Sequence, residues 1–411
     1  MKILHIAAHL GGGVGKAHSA LCRMDGPDVE RHYLLLEEPR DTRYADAIRD
    51  AGATITVTPD ATTLRRLVAR ADIVQIEWWN HPRLYECLCR LDLPESRTVI
   101  WSHISGLFAP YVPADLLTAP QRFLFTSTCS MKAPAVQSLA PEVRTRLGVI
   151  NSGFGFGATA EQPPACASAV GYLGTVDFSK LSPLFFDVID RVELDRPVSI
   201  WGSVDPDGDV LRHASAMRRP EAVRFHGHAD DPEAALRQTG IFLYLLHPRH
   251  FGTAENALIE AMSLGCVPLV FDNPAEKAIV EHGRTGFVES SAEAAAERLQ
   301  WMLRNPDAMQ EMGRNAAQAM ASTRSAEKAA ADFAAAYRSM LPMAKRKIDY
   351  ARILGSTPAD WFLSTQGRAL TDDRRTDTAR KGTLAHFVHC FPDDGSLNRL
   401  SADLYSPSRP D

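Results

Sequence analysis

The chain has 411 residues, of which 45% are apolar and 23% charged, and carries a formal net charge of -5. That length exceeds the roughly 250–300 residues at which one core stops growing, so it predicts two domains, and the composition is that of an ordinary soluble globular protein. The slight acidity gives no electrostatic ground for a nucleic-acid partner. Seven scattered cysteines (Cys22, Cys87, Cys89, Cys129, Cys166, Cys266, Cys390) fit reduced thiols in a cytoplasmic protein better than a disulfide framework. The amino terminus, MKILHIAAHL, is too short to span a bilayer and runs into glycines, so it is not read as a signal peptide.

In chain order, apolar β-rich runs alternate with helical stretches. The first series is KILHIAAH from Lys2, HYLLLEE from His32, TITVTP from Thr54, IVQIEWW from Ile73, RTVIWSH from Arg97, RFLFTST from Arg122 and RLGVINSG from Arg146. The second is AVGYLG, PVSIWG, VRFHGH, IFLYLL and VPLVFD. Two such series predict an α/β protein of two doubly wound, parallel-sheet domains. The break is expected at 158–168, ATAEQPPACAS, where periodicity gives way to Pro, Ala and Ser. This divides the chain into domains at 1–160 and 161–340 and an extension at 341–411, partly helical and packed back on the body. The extension runs from the basic Lys345, Arg346 and Lys347 through TDDRRTDTARKG to LAHFVHCF.

Several tempting signatures fail on inspection. GGGVGKA from Gly11 resembles a Walker loop, but Leu10 stands where its first glycine belongs and Ala17 replaces the magnesium-binding hydroxyl. A dinucleotide fingerprint needs a glycine at Lys16 or at His18. DPDGD at 205–209 has its glycine misplaced for a calcium loop and reads as a turn. Cys87-x-Cys89, His226-x-His228 and the pair His386 and His389 are taken as bystanders, so no metal site is expected.

The segment HFGTAENALIEAMSLG at 250–265 does carry chemistry. Leu258, Ala261, Met262 and Gly265 repeat as a buried helical face, which leaves Glu260 as a carboxylate that needs a partner. With Thr253 as N-cap, the unbonded N–H groups of Ala254, Glu255 and Asn256 would offer a diphosphate site. Glu260, one turn beyond Asn256 on the same face, has two oxygens suited to a ribose diol.

The stretch FGTAENALIEAMSLGCVPLVFDNPAEKAIVEHGRTGFV resembles the donor-binding segment of the family-four retaining glycosyltransferases (glycosyl transferases group 1), which have the GT-B fold. The likeness extends to the Gly-rich first loop, WSHISG, NSGF and GYLGTVDFSK, and covers residues 1–340, most strongly 239–288. It implies two Rossmann-like domains facing a central cleft, and sugar transfer from a nucleoside diphosphate sugar to a saccharide or other hydroxyl acceptor with retention. By the same resemblance Glu260 binds the ribose, Lys180 the diphosphate together with the backbone of Gly12 and Gly13, and His103 lies near the transferred sugar.

Two positions depart from the family pattern. The first acid of its donor motif falls on Gly252, or on Arg249 in another register, and the arginine expected before Lys180 is Thr175. Glu255 is the nearby acid that a shifted loop would bring to the sugar. In EWWNHPRLY, Trp78, Trp79 and His81 either stack on an acceptor sugar or fill the core. The resemblance implies no cofactor beyond the sugar nucleotide, and the basic run at 345–347 leaves peripheral membrane contact open. The rival readings are a nucleotide-sugar-binding protein without turnover and a nucleotide-sugar epimerase.

Overall fold

The structure is a computed structural model that describes residues 1–39, 41–153, 168–250, 252–367 and 382–405. The described chain forms two compact units, one from Met1–Ser152, Phe251–Thr253 and Ala329–Asp411, the other from Gly153–His250 and Ala254–Lys328. Most of the expected break at 158–168, and TDDRRTDTARK, lie outside the described residues.

The first unit is built on seven parallel strands: β1 (Lys2–Ala7), β2 (Glu30–Leu35), β3 (Thr54–Val57), β4 (Ile73–Trp78), β5 (Thr98–Ser102), β6 (Arg122–Phe125) and β7 (Leu147–Val149). Their order across the sheet is β3-β2-β1-β4-β5-β6-β7. The central strands are covered on both faces, so they read as continuous apolar runs with little alternation. Every residue of IVQIEW in β4 is buried. The second unit holds six parallel strands: β8 (Val170–Leu173), β9 (Val198–Trp201), β10 (Val223–Gly227), β11 (Ile241–Tyr244), β12 (Val267–Phe271) and β13 (Phe287–Glu289). Their order is β10-β9-β8-β11-β12-β13. All twelve strands expected from sequence are present. The thirteenth, β13, is too short to show a period, and it forms because Phe287–Glu289 pair with Leu269–Phe271 of β12.

The helix Ala326–Met340 does not end the second unit as the 161–340 boundary supposed. From Ala329 onward the chain groups with the first unit, because Tyr337 bonds to Gln75 and Phe333 packs edge-on against Trp101 at 4.9 Å. Later short helices add Tyr350, Leu354, Trp361, Phe362, Leu384, Phe387 and Leu397 to the core of the same unit. The basic run is bound there as well. Lys345 donates to the carbonyls of Ala69 and Ala71, Arg346 bridges to Ser96, and Lys347 pairs with Asp92. No described helix is long and apolar enough to cross a membrane.

Candidate functional site

A doubly wound parallel sheet opens a crevice beyond the carboxyl ends of its strands where the order reverses. In the second unit that point lies between β8 and β11. Lys180 follows β8 and Glu255 follows β11, and there they meet. The Lys180 ammonium donates to Glu255 Oε2 at 2.7 Å, and the Tyr244 hydroxyl donates to the same oxygen at 2.7 Å. The Glu255 side chain is 0% exposed and Lys180 23%. Burial opposes ionisation of Glu255. The Lys180 charge, His250 and the two hydrogen bonds outweigh it and hold the carboxyl at about 2. His250 Nδ1 lies 3.5 Å from Glu255 Oε1, and His250 Nε2 lies 3.2 Å from Glu276, which also accepts from Asn273.

This arrangement revises the expected helix start. Glu255 has a left-handed backbone, φ 42°, which aims its carboxylate inward at Lys180 and which no α-helix can include. The helix therefore runs Asn256–Ser263 with Glu255 as N-cap, so Thr253 is not the cap. The first-turn donors are the N–H groups of Asn256, Ala257 and Leu258, and those of Ala254 and Glu255 fall outside that turn. Glu255, read from sequence as an acid for the donor sugar, is a buried counter-ion of Lys180. Asn256 and Glu260 do share a helical face, with Glu260 5% exposed.

In the first unit the order reverses between β1 and β4. The glycines at 11–15 are only partly a loop: the helix Gly12–Cys22 follows β1 across Ala8–Gly11, with Gly11 as its N-cap and Gly12 left-handed at φ 62° where the helix begins. A Cβ on Gly15 would sit 1.8 Å from the Leu10 carbonyl oxygen, so only glycine lets this helix start so close to the strand. His103 lies just past β5, its N–H bonded to the Trp78 carbonyl at 2.7 Å and its Nε2 3.0 Å from Glu77 Oε2.

Trp78 and Trp79 are buried in the core, which removes them from the acceptor side. His81, 2% exposed, caps the helix Pro82–Arg90 and faces Glu37. His226 stacks on Trp201, and burial pushes the Cys87 and Cys89 thiols up to about 12, where they stay protonated and poor metal ligands.

Sequence reasoning missed Glu77 and the groups around it. The signal was available, since Gln75 and Glu77 are two polar residues on one face of an otherwise apolar central strand. Tyr244, His250 and Glu276 had no such signal, because only the fold brings them to Glu255.

Residues 195–319 match the family model of glycosyl transferases group 1. No curated protein matches the chain. Among solved structures, Anabaena HepE in complex with UDP and glucose is similar at TM-score 0.63 and 15% identity, covering 82% of this chain and 100% of that one. A glycosyltransferase from Rickettsia africae is similar at TM-score 0.66 and 11% identity, covering 84% and 99%. The sucrose-phosphate synthase of Thermosynechococcus elongatus gives 0.63 and 14%, covering 84% and 100%. At these identities the likeness is one of fold, the two-sheet GT-B architecture.

Proposed function

We propose that this protein, whose residues 195–319 match the family model of glycosyl transferases group 1, moves a sugar from a nucleoside diphosphate sugar to a hydroxyl of a saccharide or similar acceptor, with retention. The observation that carries the reading is the pairing of Lys180 with Glu255, the N-cap of the helix Asn256–Ser263, at the β8/β11 switch point. There an ammonium and oriented N–H groups face the place where a diphosphate develops charge as it leaves. Glu260, one turn along, receives the ribose hydroxyls.

In the reaction the bond from the anomeric carbon to the diphosphate oxygen breaks, and a bond from that carbon to the acceptor oxygen forms. The acceptor's proton passes to the departing diphosphate, so no side-chain base is demanded. Charge on the leaving group is met by Lys180 and backbone donors, and the reading requires no divalent metal or other cofactor. That HepE was solved with UDP and glucose supports a sugar nucleotide as the class of donor.

A thermal-shift screen of nucleotide sugars, followed by nucleotide release with and without acceptors, tests the proposal. A true donor at 100 times its dissociation constant stabilises by about 2.7 kcal/mol. The expected result is stabilisation by one donor and nucleotide release that depends on acceptor. Stabilisation by none refutes the reading, binding without release marks a binding protein, and sugar isomerisation without acceptor marks an epimerase.

A further inference from the structure

We propose that Glu77 is a positioning residue that holds His103 in one tautomer, with its ring proton on Nε2. The inference rests on reading His103 as a residue that faces the transferred sugar.

Glu77 lies on β4 with its side chain 0% exposed, and both of its oxygens are engaged. Oε1 accepts from Gln75 Nε2 at 2.8 Å and lies 3.0 Å from both His5 Nδ1 and His18 Nε2. Oε2 meets His103 Nε2 at 3.0 Å. The donors can be assigned one by one. The Tyr337 hydroxyl donates to Gln75 Oε1 at 2.6 Å, so the Gln75 amide turns its NH2 to Glu77. Arg31 Nη1 lies 2.9 Å from His5 Nε2, and a guanidinium can only donate, so the His5 proton sits on Nδ1 and points at Glu77.

Three ligand atoms of His5, His18 and Glu77 lie within 4.8 Å of one another, which suggests a metal. Arg31 rules against it. A metal on His5 Nδ1 would leave a proton on Nε2, facing the Arg31 donor at 2.9 Å. The cluster is a hydrogen-bonded carboxylate cage. Burial would favour a neutral Glu77, but His18 and the hydrogen bonds from His103, His18 and His5 hold its carboxyl well below the usual carboxylate range. An ionised carboxylate has no proton to give, so His103 Nε2 must supply the one it shares with Oε2. The other nitrogen, Nδ1, then carries the lone pair and is an acceptor. With Oε1 fully engaged, Glu77 cannot turn away, and His103, 10% exposed, is held from behind.

Glu77→Gln tests this with the full chain. The two donors at Oε1, Gln75 Nε2 and His5 Nδ1, select the amide oxygen for that side, so the new NH2 faces His103 and forces its proton onto Nδ1. In protein labelled with 15N-histidine, assigned with His103→Ala, the wild type should show the Nε2–H tautomer of His103 and Glu77→Gln the Nδ1–H tautomer. Transfer kcat should fall on the order of 100-fold as the sugar loses the group that positions it, with donor KM unchanged, and Glu77→Gln should cost nothing further in a His103→Ala background.

A wild-type His103 protonated on Nδ1, an unchanged kcat, or additive losses in the double variant would each overturn the proposal. The wild-type spectrum decides even if Glu77→Gln does not fold. A wild type with the expected tautomer and no transfer to any acceptor would overturn the catalytic assignment and the Proposed function, while sparing the Glu77–His103 geometry.

Discussion

Replacing Glu255 with Gln removes one charge and almost no volume from the Lys180 site. In the fold its carboxyl titrates at about 2 against an ordinary 4.5. At about 1.36 kcal/mol per pH unit, that gap is worth about 3 kcal/mol. The Lys180 ammonium at 2.7 Å, His250 and the Tyr244 hydroxyl at 2.7 Å are the groups that supply it. Because the folded value is depressed, the contribution is complete above pH about 4.5. It falls away as pH drops toward about 2, and roughly half or less remains at pH 3. Urea unfolding followed by tryptophan fluorescence should therefore show Glu255→Gln less stable by about 2–4 kcal/mol at pH 7, and by about half as much at pH 3. A deficit equal at both pH values, or one below about 0.5 kcal/mol at pH 7, would show that the Glu255 charge is not what Lys180 holds.

Lys180→Ala should lower kcat and raise donor KM together, costing about 2–4 kcal/mol of transition-state stabilisation in steady-state kinetics, and unchanged kinetics would remove it from the diphosphate site. Glu260→Gln should weaken binding of both the bare nucleoside diphosphate and the intact donor by about 10- to 100-fold in calorimetry, since both carry the ribose. A normal affinity would leave Glu260 a structural carboxylate. Turnover should survive exhaustive treatment with a chelator, and loss of activity restored by magnesium or manganese would contradict a diphosphate held by Lys180 and backbone N–H groups alone.

The alternation of apolar runs and helical stretches by itself determined two parallel-sheet domains, because strands covered on both faces must be apolar throughout. It also placed Lys180 after a glycine-ended strand and Glu260 one turn above Asn256, since both follow from local spacing. The fate of Trp78 and Trp79 was open in the sequence, because an aromatic side chain serves a core and a sugar ring equally well, and packing alone decided for the core. The start of the helix at Asn256 was equally out of reach. It depends on Glu255 turning left-handed to meet Lys180, 75 residues away in sequence. The cage around Glu77 draws His5 from β1, His18 from the following helix, Gln75 from β4 itself and His103 from beyond β5. Local periodicity records which face of a strand is buried. It carries no information about which distant donors will arrive there, and for a buried carboxylate those donors decide both its charge and its role.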